Sequence, residues 1–306
     1  MSHFVLRSVR LLSVLVILAP LDSCARQAAE GDPHADHATT PAGGTTRTVV
    51  ASDASLPAGA LDVAARLARS SRHGEWVMIR TGPSDSVKAW VVYPERSTKA
   101  PVVIVVHEIY GLSTWVRGVA DQLAADGYIA IAPDLLTGKV VPEPGSDTLT
   151  QAAASAAIRT LQTADVHRQL AAVGQYGMSL PAAEQKYGTV GFCWGGGTSF
   201  MHAVMSPSGL GASVVYYGTS PADSLLSRVK VPVLGLYAGD DARVDATVPP
   251  AVAAMRSLGK TFEPHTFAGA GHGFLRQQDG KDGANFSASR QAWPLTVAFF
   301  RTHLGR

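Results

Sequence analysis

The chain is expected to fold as a single α/β domain, with a mostly parallel, doubly wound sheet and helices on both faces. Three observations predict this. Short β-branched runs alternate with helical segments from about residue 75 to the C-terminus. Several of these runs are apolar throughout, as strands covered on both faces are. No internal repeat or second apolar nucleus interrupts the series.

The elements follow in order. Leu61–Ser70 has helical spacing and is placed outside the core. Glu75–Arg80 and Val87–Tyr93 alternate as a β-hairpin does. Pro101–Val106 (PVVIVV) reads as a strand buried on both faces. Ser113–Asp126 is helical, with Ser113 or Thr114 as N-cap, and Tyr128–Ala132 is a further buried strand. Leu149–Tyr176 is Ala-rich and predicts one helix or two. Gly188–Phe192 is a strand that runs into a glycine-rich turn, and Trp194–Val204 is the helix that leaves it. Strands at Ala212–Tyr217 and Pro232–Tyr237, a helix at Val248–Leu258, a strand at Thr261–Phe267 and a helix at Gln291–Leu304 complete the series.

Composition bounds the rest. The 306 residues are 46% hydrophobic and 16% charged, ample for one large core. A net charge of +2 gives no field suited to nucleic acid. Arg7 and Arg10, the apolar run 11–20 and the Leu21-Asp22-Ser23-Cys24 box read as an export signal over residues 1–24. The box resembles a lipoprotein cleavage site, with Cys24 as lipid acceptor, although Asp22 is unusual there and plain cleavage is the other reading. The expected location is therefore the periplasm, a membrane anchor or the exterior. Residues 25–57 lack apolar periodicity and read as a flexible tether, with His34 and His37 solvated in it. The domain then spans 58–306. Asn285-Phe286-Ser287 is a glycosylation sequon, of little meaning behind a bacterial lipoprotein signal.

The chemistry centres on residues 191–197, Gly-Phe-Cys-Trp-Gly-Gly-Gly. This is a Gly-x-nucleophile-x-Gly elbow with cysteine where serine is usual, so an ordinary serine esterase is excluded at this position. Only two cysteines exist; with Cys24 removed or lipidated, Cys193 is the sole thiol and no internal disulfide forms. The competing reading of Cys193 is a small buried hydrophobe.

In a doubly wound sheet, active groups gather past the C-terminal ends of strands. Past Val106 stand His107, Glu108, Ile109 and Tyr110; past Ala132, Asp134; past Phe192, Cys193; past Tyr237, Asp240 and Asp241; past Phe267, His272. Nucleophile, acid and histidine come in the chain order that α/β-hydrolases use. His272 is the base, and a carboxylate holds its tautomer. Asp241 is chosen for that acid over Asp240, which can fix the turn, and Asp245, a helix or surface residue. The oxyanion hole is expected from the backbone N–H groups of Trp194 and Ile109.

These pieces together resemble the dienelactone hydrolase family of cysteine α/β-hydrolases. The matching segments are His107-Glu108-Ile109-Tyr110-Gly111, Gly191-Phe192-Cys193-Trp194-Gly195-Gly196, Gly239-Asp240-Asp241 and Gly271-His272-Gly273-Phe274. Their order and separations resemble the family from about Glu75 onward. The resemblance implies a Cys193–His272–Asp241 triad. It also implies that Glu108 pairs with the resting thiol and helps to make the thiolate. The other reading of Glu108 is a strand-end carboxylate capping backbone. Arg276 matches a family arginine that binds a substrate carboxylate; alternatively it is a solvated loop residue. A second such arginine is implied, with Arg159 and Arg168 as candidates. Tyr110 and Trp115 either line the pocket or pack. Trp194 has the same two readings.

The expected activity is hydrolysis of a small ester or lactone, anionic if Arg276 binds it, through a Cys193 thioester. No metal or organic cofactor is implied, because neither a phosphate loop nor metal-ligand spacing occurs. Two other readings stand beside it: a periplasmic binding protein for small acids, and a redox-responsive thiol, against which the lack of a resolving cysteine counts. Oligomeric state is not legible.

Overall fold

The computed structural model describes Met1 and residues 53–139, 146 and 149–305. The expected export signal, Cys24 and the tether up to residue 52 lie outside the described residues. The fold belongs to one unit, 47–306.

An eight-stranded sheet carries the fold, in the order β1-β2-β4-β3-β5-β6-β7-β8. The antiparallel hairpin β1 (Gly74–Arg80) and β2 (Ser86–Val92) forms one edge, and β2 also pairs antiparallel with β4 (Ile129–Asp134). From β4 onward every pairing is parallel: β3 (Ala100–Val106), β5 (Ala183–Phe192), β6 (Leu210–Tyr216), β7 (Val233–Ala238) and β8 (Phe262–Phe267). The C-terminal ends of all these parallel strands therefore share one edge of the sheet.

The apolar runs explain the layers. In β3, Val103 and Val105 enter one core and Val102, Ile104 and Val106 the other. A period of two with both phases apolar requires cover on both faces. Helices α2 (Thr114–Ala125) and α8 (Ala284–Leu304) supply the first face. Helices α4 (Thr163–Ser179), α5 (Trp194–Met205) and α7 (Val248–Ser257) supply the second. Two short helices, α1 (Val63–Leu67) and the single turn α6 (Ala242–Asp245), and α3 (Gln151–Ile158) complete the set.

Several boundaries differ from expectation for local reasons. The Ala-rich stretch splits into α3 and α4, because residues 159–162 leave helical hydrogen bonding and Gln162 turns extended before Thr163. Ser113 caps α2 by accepting from Val116 N. α8 begins at Ala284 rather than Gln291 and runs through Pro294. The last residues of the expected tether, 53–57, are held to the fold. Leu56 is buried, Arg66 donates to the carbonyls of Asp53, Ala54 and Leu56, and Gln278 donates to Pro57 O.

Beneath the second face, α4 and α5 meet through a buried imidazole pair. His167 Nδ1 and His202 Nδ1 lie 3.3 Å apart, so one donates and the other accepts. His202 Nε2 is 3.0 Å from the Tyr187 hydroxyl. Burial pushes His167 down to about 4 and His202 down to about 3. Both values are depressed below about 6.5, the unfolded value, so the stability of the neutral pair is present above that pH and is lost as the pH falls toward the folded values. Urea unfolding is expected to show stability falling below about pH 6.5 by roughly 1.4 kcal/mol per pH unit per ring, with a shallower slope in His202→Gln. Equal slopes would contradict this account.

Candidate active site

The β5–α5 junction sets the geometry. Cys193 adopts φ 56°, ψ −119°, a strained backbone for a residue with a side chain. The turn closes only on glycine. A Cβ on Gly191 would lie 1.8 Å from Gly195 O, and one on Gly195 would lie 2.3 Å from Val106 O. The start of α5 thus rests against the end of β3. Cys193 N donates to Tyr216 O at 3.1 Å, which ties the elbow to β6 as well.

The loop after β3 is rigid. His107 is fully buried; its Nδ1 lies 2.8 Å from Glu108 O, and its Nε2 accepts from Leu135 N at 3.2 Å. This fixes a neutral ring, and burial pushes its pKa down. Trp194 stacks on it at 5.6 Å. Gly111 N closes a tight turn onto Glu108 O, with Ile109 buried inside it. Asp134 accepts from Ser146 N at 2.8 Å, and Ser146 Oγ accepts from Leu112 N at 2.6 Å, so the β4 end braces the same loop.

His272 follows β8, and its Nδ1 bonds Asp241 Oδ2. Asp241 also caps α6 through Val244 N. That hydrogen bond and charge from His272 outweigh burial and lower the Asp241 pKa. Asp240 instead turns its carboxylate outward to Lys281 at 2.8 Å, while its backbone N donates to Ala270 O at 3.0 Å.

Cys193 is 6% exposed. Its thiol is pushed up to about 12, by burial first and then by Glu108, against a hydrogen bond from Trp194 N and the charge of Arg243. Glu108 is also buried and pushed up, while Arg276 and His272 oppose the rise. Its resting partner is Arg276, whose Nε lies 3.4 Å from Glu108 Oε2. Arg276 is therefore no solvated loop residue; it also sits 4.9 Å above the ring of Tyr110, which is half-buried beside Cys193 and Glu108. The elbow, the β3 loop and the His272 loop thus bring Cys193, Glu108, Arg276, Tyr110, Asp241 and His272 to one edge.

Other candidates fall elsewhere. Trp115 packs edge-on against Phe192 at 4.9 Å and is core. Arg168 is engaged by Asp85 at 2.6 Å and by Asp165. Asp245 is half-buried on α6. A 510 Å³ cavity at the opposite end, lined by Arg96, Asp126, Tyr128 and Arg301, contains none of these groups. Among the described residues no group of three or more His, Cys, Asp or Glu side chains could hold a metal ion.

Sequence reasoning missed Tyr217. It was expected inside the β6 strand, but β6 ends at Tyr216, and Tyr217 stands at the strand end where active groups gather. Its ring lies 5.1 Å from that of His272 and 6.2 Å from that of Phe192. The signal was the glycine at 218, which marks the strand end.

Sheet order, elbow and acid–imidazole pair define an α/β-hydrolase fold. The model of the dienelactone hydrolase family matches residues 87–304, and the chain belongs to that family. It is a hydrolase of the dienelactone hydrolase type. A Saccharolobus solfataricus protein named "Putative carboxymethylenebutenolidase" is 28% identical over 246 residues, covering 70% of this chain and 93% of that one. A Bradyrhizobium protein named as a 2-oxo-3-(5-oxofuran-2-ylidene)propanoate lactonase is 28% identical over 75% of this chain and 94% of its own. The crystal structure of the dienelactone hydrolase from Anabaena variabilis superposes with a TM-score of 0.57 at 22% identity, covering 76% of this chain and 99% of that one, which bears on the fold alone.

Gly195→Ala is expected to lose the folded elbow, because its Cβ would meet two backbone carbonyls within 2.4 Å. A melting temperature several degrees lower checks this; about 4 °C corresponds to roughly 2 kcal/mol in a domain of this size. An unchanged Tm would contradict it.

Proposed function

We propose that the protein hydrolyses a small lactone or carboxylic ester through a thioester on Cys193, with a preference for substrates that carry a carboxylate. The observation that carries this reading is the His272–Asp241 contact at the same sheet edge as a buried, strained cysteine on whose thiol the Asp241 charge acts.

The chemistry follows from the charges. Glu108 and Cys193 are two acids in one dry place, and each raises the cost of ionising the other. In this reading Arg276 opposes the rise that burial imposes on the Glu108 carboxyl and favours its ionised form, so that at rest the proton stays on sulfur. A substrate carboxylate competes for Arg276, since a guanidinium grips carboxylates through parallel hydrogen bonds. Glu108 then loses its counter-ion, its proton affinity rises, and it takes the thiol proton. The thiolate attacks the carbonyl carbon and the oxyanion forms against the Trp194 and Ile109 N–H groups. The carbon–oxygen bond breaks, and the leaving oxygen takes the proton that Glu108 received from the thiol, directly or relayed through His272. Water, deprotonated by His272, cleaves the thioester, and the sulfur leaves to be reprotonated. For a lactone, ring opening leaves a hydroxy or keto acid.

The test is a kinetic comparison on a neutral aryl ester and on a lactone that carries a carboxylate. Cys193→Ala should lower kcat by about 10³-fold or more on both. Arg276→Ala should raise KM or lower kcat/KM about 10- to 100-fold on the anionic substrate and change the neutral one much less. Full turnover by Cys193→Ala would sink the proposal; equal losses on both substrates would remove the carboxylate preference.

A further inference from the structure

Tyr217 combines two unfavourable features at one point of the site. Its backbone lies at φ 38°, a left-handed region that is strained for a residue with a side chain. Its side chain is fully buried, and its hydroxyl has no hydrogen-bond partner. An orphaned buried hydroxyl carries an unreturned desolvation cost, which phenylalanine would avoid in the same space. Of the other fully buried tyrosines, Tyr216 bonds Thr296 at 2.7 Å, Tyr187 bonds His202 and Tyr128 bonds Val297 O, while Tyr237 also lacks a partner but stands away from the imidazole, on the β7 side by Ser220.

The surroundings show where the hydroxyl belongs. Tyr217 N is tied to Leu236 O at 2.9 Å, and the ring is wedged among Phe192, Phe274 and His272. The charges acting on its hydroxyl are those of Glu108 and Cys193 first, opposed by Arg276. Cys193 N donates to the carbonyl of Tyr216 at 3.1 Å, so Tyr217 follows directly on the residue that anchors the elbow, and its ring borders the imidazole of His272. A donor that has no bond to break can follow negative charge as soon as that charge appears.

We propose that the Tyr217 hydroxyl is the donor that stabilises the Cys193 thiolate, forming its hydrogen bond only after the proton has left sulfur. This deepens the hydrolase reading and rests on it. No covalent change occurs at Tyr217; its O–H proton is shared with sulfur and stays on oxygen. It supplements the hydrogen bond that Trp194 N already gives the sulfur. The other groups that set the thiol are Glu108 and Asp241, which oppose its ionisation, and Arg243, which favours it. His272 faces Glu108 and Tyr217 from the loop after β8.

The test is the rate at which iodoacetamide alkylates Cys193 as a function of pH, in the full-length protein, read on the peptide that contains Cys193 so that Cys24 is counted apart. It needs no substrate, so it stands whether or not the protein turns over esters. In Tyr217→Phe the rate at neutral pH should fall about tenfold and the rise with pH should move up by about one unit, as loss of one hydrogen bond to a charged group requires. The melting temperature should not fall, because no resting hydrogen bond is lost. Tyr216→Phe serves as control: it should lower Tm and leave the alkylation profile in place. An unchanged profile in Tyr217→Phe would mean that the hydroxyl only packs. A faster alkylation would mean that it serves Glu108 instead. Either result overturns the assignment.

Discussion

The site depends on one close approach of backbone to backbone. Gly191, Gly195 and Gly196 let the first turn of α5 lie against the ends of β3 and β6 with no side chain between them. Gly218 completes the contact, since a Cβ there would meet Gly197 N at 2.3 Å. That approach has three consequences. It forces Cys193 into its strained conformation, it aims Trp194 N at the sulfur, and it brings the β3 loop with Glu108 alongside. A Cβ at any of these glycines would separate groups that come from distant parts of the chain.

Once the groups are together, electrostatics keeps them quiet. A lone thiol in solution is a few per cent ionised at neutral pH. Here burial and a neighbouring carboxylate suppress even that. The suppression is conditional, because Arg276 holds the carboxylate by a single lateral contact at 3.4 Å and faces Tyr110 with its other side. In the proposed mechanism the nucleophile is uncovered by the compound it is meant to attack. The neutral, doubly bonded His107 supports this arrangement by fixing the loop without adding charge.

Legibility in the sequence followed burial. β3 was legible because a strand covered on both faces must be apolar at every position. Cys193, Asp241 and His272 were legible because strand ends concentrate chemistry and glycine marks the tight turn. The seven residues from Ala284 to Arg290 were not, since Asn285, Ser287 and Ser289 read as loop residues and hide a helix start that Asn285 secures by accepting from Gly271 N. The resting partnership of Glu108 with Arg276 was not legible either. Charge pairing across loops leaves no local pattern, and the thiol was the expected partner. Tyr217 looked like one more aromatic in a strand; the glycine that follows it and the backbone turn at its own position set it apart.

The central claim is that the sulfur of Cys193 carries the acyl group. Acid quenching of the protein during turnover of an aryl acetate, followed by peptide mass analysis, tests it most directly. The account predicts an acetyl group on the peptide containing Cys193, removable by hydroxylamine at neutral pH and accumulating in His272→Ala. Turnover with that peptide unmodified, or with the acyl group on another residue, would contradict it.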